Sequence, residues 1–252
     1  MPRNSLPALL LVLGAVLLTG AARAADPPCP ATQTRHVDLQ ATRAALFHGR
    51  PITIVALGSS STEGAGASAP DRTYPMRLAG LLRAAWPDAK VTVLNKGVGG
   101  QMVDSVLTRI DADVLAMQPT LVVWQVGTNE VLRGMDQARF AEQLDEGVRK
   151  ILSSGADLVL MDNQIAPREA PDRLAAIDGI IAQEAKTRHV SLFSRTELMR
   201  DWQKEAPEGE AMIGPDGLHH TDRGYACVAA SLAEAVVDAA RKGIPVADVR
   251  KK

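Results

Sequence analysis

The sequence predicts an α/β fold in which helices cover both faces of a five-stranded parallel sheet. Five short runs of mainly aliphatic residues are spread along the chain, and such continuous apolar runs are typical of strands buried on both faces. Longer amphipathic segments, with apolar residues at helical spacing, lie between them. This alternation favours a parallel sheet, because each helix carries the chain back to the same edge.

The strands are predicted in the order in which their apolar runs appear along the chain. They are Ile52–Leu57, Val91–Leu94, Leu121–Val126, Leu158–Met161 and Val190–Phe193. Right-handed crossovers place the carboxyl ends of all these strands along one edge of the sheet, where open α/β sheets bind their ligands. A functional site is therefore expected in the segments that directly follow the strands.

Three amphipathic segments predict helices between and after the strands. Apolar residues recur at helical spacing at Val103, Val106, Leu107, Ile110, Val114 and Met117, at Phe140, Leu144, Val148 and Ile151, and at Tyr225, Val228, Ala229, Leu232 and Val236. Thr221 is a candidate N-cap of the last helix, because its hydroxyl can accept a hydrogen bond from a free N–H of the first turn.

The amino terminus has the pattern of a secretory signal peptide. Arg3 gives a positive start, an apolar core runs from Leu9 to Leu18, and Ala22-Arg23-Ala24 is a small-x-small cleavage site. The alternative is a membrane anchor, but the apolar run is short for a bilayer span. We therefore expect residues 1–24 to be cleaved, leaving a periplasmic or secreted protein with no stable membrane anchor.

Charge and composition exclude some classes of partner. The formal net charge is −1, so no basic field attracts nucleic acid or anionic lipid. Aromatic residues make up only 3% of the chain, which argues against a broad stacking surface.

The chain has two cysteines, Cys29 and Cys227. In an oxidising compartment one disulfide between them is expected, the alternative being two unpaired small apolar residues.

Polar and glycine-rich segments follow three of the predicted strands. Ser60 lies in a serine cluster after the first strand, Gly97–Gly100 follows the second and Gly127–Asn129 follows the third. These segments should share one rim of the sheet. A serine hydroxyl becomes a nucleophile when a neighbouring base takes its proton, so the rim is a candidate site for nucleophilic catalysis.

The candidate base is His219, with Asp216 three residues earlier. A carboxylate at that spacing can reach the imidazole within a turn and fix its tautomer. Taken alone, such a pair is more often part of a solvated loop than of a catalytic site. His220 competes for the same role. The adjacent histidines also raise the possibility of a metal site, but no further cluster of ligands is apparent and no metal is expected.

An oxyanion would need hydrogen-bond donors at the same rim. The candidates are the backbone N–H groups of Ser60 and Gly100 and the side-chain amide of Asn129. Each has a simpler explanation, because glycines after strands often only form turns and an asparagine there can cap the next helix. The glycines near the serine cluster do not form a phosphate-binding loop, so nucleotide binding is disfavoured.

The four segments together resemble the sequence blocks of the SGNH hydrolases, also called the GDSL family of esterases and lipases. Gly58–Thr62 resembles the Gly-Asp-Ser-Leu-Thr block, Asn95–Gly100 the second block, Gly127–Glu130 the Gly-x-Asn-Asp block, and Asp216–His219 the last block. The resemblance extends over roughly residues 50 to 240. Four ordered blocks on one α/β pattern are a much stronger signal than any single block.

The resemblance implies a three-layer, flavodoxin-like α/β/α sandwich and serine acyl-enzyme chemistry without a cofactor. It assigns the nucleophile to Ser60, the base to His219 with Asp216 as its partner, and the oxyanion donors to Ser60, Gly100 and Asn129. The expected domains are an N-terminal arm over 25–49, the hydrolase domain over 50–243 and a tail over 244–252. Two positions depart from the family blocks, where Ser59 and Glu130 each replace an aspartate.

The expected function is an exported ester hydrolase acting on short-chain acyl groups, with an O-acetyl ester of a small molecule or glycan as substrate. One alternative is a lysophospholipase or thioesterase that acts on longer chains. Another is acyl transfer between sugars, which uses the same residues. A third is a non-catalytic glycan-binding protein on the same fold, which would need no base beside a serine.

Overall fold

The computed structural model describes residues 28–205 and 211–242. The predicted signal peptide, 1–24, and the predicted tail, 244–252, lie outside these residues. No helix within the described ranges is long and apolar enough to cross a membrane.

The five predicted strands are confirmed, and they pair in parallel in the order β2-β1-β3-β4-β5. Their bounds are β1 Ile52–Gly58, β2 Val91–Gly97, β3 Leu121–Gln125, β4 Asp157–Met161 and β5 Ser191–Phe193. In this order the chain reverses its direction across the sheet between β1 and β3. The crevice outside the carboxyl ends of these two strands is where flavodoxin-like sheets bind ligands.

Helices cover both faces of the sheet, which confirms the three-layer architecture. In the described ranges they are α1 Gln40–Phe47, α2 Ser60–Glu63, α3 Tyr74–Ala85, α4 Val103–Leu107, α5 Ile110–Asp113, α6 Thr128–Arg133, α7 Gln137–Leu152, α8 Pro171–Arg188, α9 Arg195–Glu205 and α10 Asp222–Arg241. As predicted, Thr221 is the N-cap of α10, and its hydroxyl accepts a hydrogen bond from the N–H of Gly224.

Alternate residues of the strands enter two separate hydrophobic cores. On β1, Ile52 and Ile54 face a core formed with α1, α3, α9 and α10, whereas Val55 and Leu57 face a core formed with α4 to α8. All four side chains are fully buried. Burying a side chain of this size stabilises the folded state by about 1.5–3 kcal/mol. Packing on both faces of β1 therefore fixes the position of its carboxyl end, where the site is expected.

The predicted helical segment between Val103 and Met117 is not continuous. It forms α4, α5 and a 3-10 turn over Leu115–Met117. The break falls at Arg109, whose backbone has φ −119° and ψ −1° and whose side chain turns towards carbonyl groups at the sheet edge. The apolar residues Val103, Val106, Ile110 and Val114 are still buried, so the periodicity predicted the buried face correctly but not the break.

The region expected as an N-terminal arm packs against the domain. Val37 and Leu39 are buried in the core shared with α10. The structure joins Cys29 to Cys227 of α10 in a disulfide, with a Cα–Cα distance of 5.5 Å. The bridge therefore links the segment before α1 to the last helix, across 198 residues of sequence.

Removing this bridge is expected to destabilise the protein. Because the bridge closes a long loop, replacing both Cys29 and Cys227 with alanine should lower the free energy of unfolding by about 3–5 kcal/mol in the loop-closure model. Urea unfolding of the oxidised protein and of the double variant measures the difference. Equal stabilities, or two titratable thiols in denatured, unreduced protein, would contradict the expectation.

Candidate active site

Ser60 is the first residue of α2, two residues after β1 ends at Gly58. The end of β2 packs directly beneath this short helix. A Cβ atom at Gly97 would lie only 2.0 Å from the backbone nitrogen of Glu63, so only glycine allows this approach. The side-chain amide of Asn95 donates to the carbonyl oxygen of Thr62 at 2.8 Å. The second sequence block thus holds the helix that carries Ser60.

Ser60, His219 and Asp216 form a connected chain of hydrogen bonds. The Oγ atom of Ser60 lies 2.8 Å from Nε2 of His219, and Nδ1 of His219 lies 2.5 Å from Oδ2 of Asp216. An ionised carboxylate only accepts hydrogen bonds, so the proton of the neutral ring sits on Nδ1 and leaves Nε2 free to accept the hydroxyl proton. This is the arrangement that a serine nucleophile requires.

Asp216 is held as a carboxylate. Its other oxygen accepts the backbone N–H groups of Leu218 and His219, each at 3.0 Å. Partial burial acts to raise the pKa of Asp216, but the hydrogen bonds from the His219 ring and from these two N–H groups outweigh it and lower the pKa to about 2. Asp216 is therefore charged at neutral pH and can stabilise the imidazolium that forms during proton transfer.

His220 lies in the core and does not reach Ser60. Its side chain is packed edge-on between the rings of Trp202 and Tyr225, and its Nδ1 donates to the carbonyl oxygen of Met212 at 3.0 Å. Burial, assisted by the positive charge of Arg195, lowers the pKa of His220 to about 3. It stays neutral and serves as a structural residue, so the geometry favours His219 in the competition between the two histidines.

The candidate oxyanion donors lie on neighbouring segments of the same rim. The backbone N–H groups of Ser60 and Gly100 donate to no other group within residues 28–205 and 211–242, so both are available to a ligand. A Cβ atom at Gly99 would lie 4.0 Å from the Cβ of Ser60, which places the glycine segment beside the nucleophile. The side-chain amide of Asn129 donates to the carbonyl oxygen of Gln101 at 2.8 Å.

Three side chains fix the loop that carries Gly100. This glycine has a φ of +73°, in the left-handed region that favours glycine. Its carbonyl oxygen accepts a hydrogen bond from Nη2 of Arg133 at 2.8 Å. Further along the loop, Glu130 accepts the N–H of Val103 at 2.6 Å. With Asn129 on Gln101, these bonds tie the loop to α6. Glu130, which replaces the family aspartate, thus helps to order this loop.

Ser59 also has a defined structural role. Its backbone N–H and its hydroxyl both donate to Oε1 of Gln125, at 3.1 and 3.2 Å. The hydroxyl of Thr62 donates to the same oxygen at 3.2 Å. The carboxyl end of β3 therefore holds both sides of Ser60 in place. A serine makes these bonds without the charge of the aspartate that it replaces.

A buried carboxyl lies near the loop that carries the histidine. Gln164, after β4, donates to the carbonyl oxygen of Leu218 at 3.3 Å and so supports that loop. Glu169 follows in the same segment and is 6% exposed. Burial raises the pKa of Glu169 to about 8, against the opposing charge of Arg195.

The described residues contain no group of three or more His, Cys, Asp or Glu side chains arranged to hold a metal ion. A cavity of about 330 Å³ lies at the end of α6, away from the triad side chains. It is lined by Glu130, Gly134, Met135, Asp136, Gln137, Arg173 and Ile177. The groups that the structure brings together at the strand ends are the hydroxyl of Ser60, the imidazole of His219 and the carboxylate of Asp216.

The structure brings the predicted triad and oxyanion residues to the carboxyl edge of the sheet, but it adds several residues that the sequence did not reveal. Gln101, Arg109 and Gln125 hold the segments on which the predicted residues lie. Gln125 could have been noticed as a polar residue at the end of an apolar strand. Arg109 carries no such signal, because its partners are carbonyl groups on other elements.

Comparison with known proteins places the chain in a family. A model of the non-GDSL lipase-like family matches residues 26–242. Esterase TesA of Pseudomonas aeruginosa is 31% identical over 131 residues, which are 50% of this chain and 60% of that protein. An acetylxylan esterase of Geobacillus stearothermophilus is 36% identical over 92 residues, which are 36% of this chain and 41% of that protein.

Solved structures show the same fold. A two-domain esterase active on acetylated mannans, crystallised with mannopentaose, superposes with a TM-score of 0.70 at 23% identity, over 84% of this chain and 56% of that one. The chain thus spans less than two thirds of the length of each of these three proteins. Solved structures of a lipase/acylhydrolase from Enterococcus faecalis and of a putative G-D-S-L lipolytic protein from Desulfitobacterium hafniense share the fold, with TM-scores of 0.62 and 0.59, and the predicted resemblance to the SGNH/GDSL hydrolases is confirmed. Since the family model covers most of the chain, the protein belongs to the non-GDSL lipase-like family.

Proposed function

We propose that the protein is an exported serine hydrolase that cleaves short-chain acyl esters, in particular O-acetyl esters, through an acyl-enzyme intermediate. The observation that carries the proposal is the unbroken hydrogen-bond chain from Ser60 through His219 to Asp216. Membership of a lipase-like family supports it. So do the relatives that are named as esterases.

The geometry supports a specific sequence of steps. The Oγ of Ser60 attacks the ester carbonyl carbon while Nε2 of His219 takes its proton. The free N–H groups of Ser60 and Gly100, with the amide of Asn129, hold the oxyanion. As the bond to the alcohol breaks, His219 returns the proton to the leaving oxygen. A water molecule then gives a proton to His219 as it attacks the acyl carbon. His219 passes this proton to the Oγ of Ser60 as the acid is released.

The surroundings of the site favour a small acyl group on a polar alcohol. The carboxylate of Glu63 lies close to Gly99, because a Cβ atom built on this glycine would be only 2.9 Å from Oε2 of Glu63. Arg133 contacts Gly100 on the same glycine segment. Both side chains are exposed, and such charged neighbours suit hydroxyl groups better than a long hydrocarbon chain. The acetylxylan esterase among the relatives points in the same direction.

Export is part of the proposal. It rests on the signal-peptide pattern of residues 1–24 and on the expectation that a Cys29–Cys227 disulfide forms in an oxidising compartment. If the full chain is produced in a bacterial host, we expect the mature protein to begin at Ala25 and to fractionate with the periplasm or the medium. Cytoplasmic recovery of protein that retains residues 1–24 would contradict this part.

A substrate panel tests the proposed activity. We expect acetyl and butyryl p-nitrophenyl esters to be hydrolysed at least roughly tenfold faster than the dodecanoyl ester, and acetate to be released from acetylated xylan or mannan. Activity should be unchanged in a chelator. Preference for the dodecanoyl ester would favour a lysophospholipase-like or thioesterase-like enzyme. Loss of activity in the chelator, restored by a divalent ion, would contradict the metal-free mechanism.

A further inference from the structure

One guanidinium group lies at the point where the two strand ends and the glycine loop of the site meet. Arg109 is placed between α4 and α5, and its side chain is 13% exposed. Its Nη2 donates to the carbonyl oxygen of Gly58 at 3.1 Å, and its Nη1 donates to that of Lys96 at 2.9 Å. Gly58 is the last residue of β1, and Lys96 is the next-to-last residue of β2.

The third contact of Arg109 reaches the loop that carries the oxyanion donor. Its Nε donates to the side-chain Oε1 of Gln101 at 2.6 Å. Gln101 directly follows Gly100, and its own carbonyl oxygen accepts the amide of Asn129. The side chain of Gln101 is thus held by Arg109, and its backbone holds Asn129. Through Gln101, the guanidinium is connected to two of the three candidate oxyanion donors.

Arg109 also acts on the third donor through the end of β1. Gly58 directly precedes Ser59 and Ser60, so its carbonyl group sets the direction in which the chain enters α2. The carbonyl oxygen of Gly58 accepts two hydrogen bonds, one from Nη2 of Arg109 and one from the backbone N–H of Val98, each at 3.1 Å. Because Val98 lies in the glycine segment, the two segments that carry Ser60 and Gly100 are bound to each other at this point.

The charge of Arg109 is balanced within the same cluster. Its Nη1 lies 2.8 Å from Oδ2 of Asp113, one turn later, and Nζ of Lys96 lies 3.0 Å from Oδ1 of the same carboxylate. The hydrogen bond from Arg109 is the main cause of a lowered pKa of Asp113. The guanidinium is therefore fixed in direction by an ion pair. Its remaining N–H donors form a rigid fork, which an ammonium group does not offer.

From these contacts we infer that Arg109 is the positioning residue of the oxyanion hole. It joins the ends of β1 and β2 to Gln101 and so holds Ser60 N–H, Gly100 N–H and Asn129 at fixed mutual distances. It touches no reacting atom. The inference rests on the proposed ester hydrolysis by Ser60, because preorganised donors lower the barrier only of a reaction that develops an oxyanion.

The test compares Arg109→Met, Arg109→Lys and a matched control. Arg149→Met is the control, because Arg149 also pairs with an aspartate one turn away, Asp145, but on the exposed surface of α7. With p-nitrophenyl acetate as substrate, Arg109→Met should lower kcat roughly 100-fold, the scale of losing one oxyanion donor. KM should change little, Arg109→Lys should restore little activity, and Arg149→Met should match the wild type.

Two further variants separate positioning from a general loss of structure. Gln101→Leu keeps the Arg109 contacts to both strands but breaks the link to the loop, and it should also lower kcat. Combining Arg109→Met with Asn129→Ala should cost less than the product of the two separate losses, because both act on one oxyanion site. Thermal unfolding and circular dichroism report the folded fraction, by which every kcat is divided.

The outcomes distinguish this inference from the proposed function. If the wild type shows no Ser60-dependent hydrolysis of any ester, the proposed function fails. If the wild type is active, then wild-type kcat in folded Arg109→Met and Gln101→Leu would overturn the inference. The inference would also be overturned if the losses of kcat disappeared after division by the folded fraction. It would likewise be overturned if the loss in the double variant Arg109→Met with Asn129→Ala equalled the product of the two single losses.

Discussion

Replacing Ser60 with alanine is expected to lower the rate of ester hydrolysis roughly 10⁴-fold or more, as for serines of other triads. Without the Oγ atom no acyl-enzyme can form, although the free N–H groups of Ser60 and Gly100 remain. The fold should be preserved, because the contact of the Ser60 hydroxyl is to His219 at the rim. Initial rates with p-nitrophenyl acetate, per folded molecule, measure the effect.

The neighbouring serine provides a matched control. Ser61 lies in the same short helix, is fully buried, and its hydroxyl has no hydrogen-bond partner among the described residues. Ser61→Ala should therefore keep nearly wild-type activity and stability. A fully active Ser60→Ala, or an inactive and folded Ser61→Ala, would show that the nucleophile has been assigned to the wrong serine.

The two adjacent histidines should respond to substitution in opposite ways. His219→Ala removes the group that takes the proton of Ser60, so kcat should fall roughly 10⁴-fold or more, with little change in unfolding temperature. His220→Ala removes a ring packed between Trp202 and Tyr225 and leaves a cavity in the core. It should destabilise the protein by about 2–4 kcal/mol.

Activity must be compared per folded molecule for this pair of variants. Folded His220→Ala should retain most of the wild-type kcat, because its ring contacts the Met212 carbonyl and not Ser60. If the folded His220→Ala protein is inactive while His219→Ala is active, the loop after Asp216 has been interpreted in the wrong register, and the hydrogen-bond chain described above does not serve catalysis.

The sequence predicted the features of this protein that depend on local patterns. The five strands follow from continuous apolar runs, and the parallel arrangement follows from their alternation with helices. The three-residue spacing of Asp216 and His219 allows their contact within one turn. That the serine cluster, the glycine segment and Asn129 meet at one rim follows from the geometry of parallel sheets.

The remaining features depend on partners far away in the sequence. The helical spacing from Val103 to Met117 does not show the break at Arg109, because the carbonyl groups that attract its guanidinium belong to β1 and β2. In the same way, Gln125 serves Ser59 and Thr62 across 66 and 63 residues. Only the folded chain shows that His220 is buried in the core whereas His219 faces Ser60.

The central claim is that Ser60, activated by His219, forms a covalent intermediate. The most direct measurement is mass spectrometry of protein treated with a fluorophosphonate, whose phosphorus is attacked by an activated serine with loss of fluoride. We expect one adduct per chain, assigned by fragmentation to Ser60, abolished in Ser60→Ala and strongly slowed in His219→Ala. An active wild-type enzyme that takes up no adduct, or an adduct on any other residue that abolishes hydrolysis, would contradict the account.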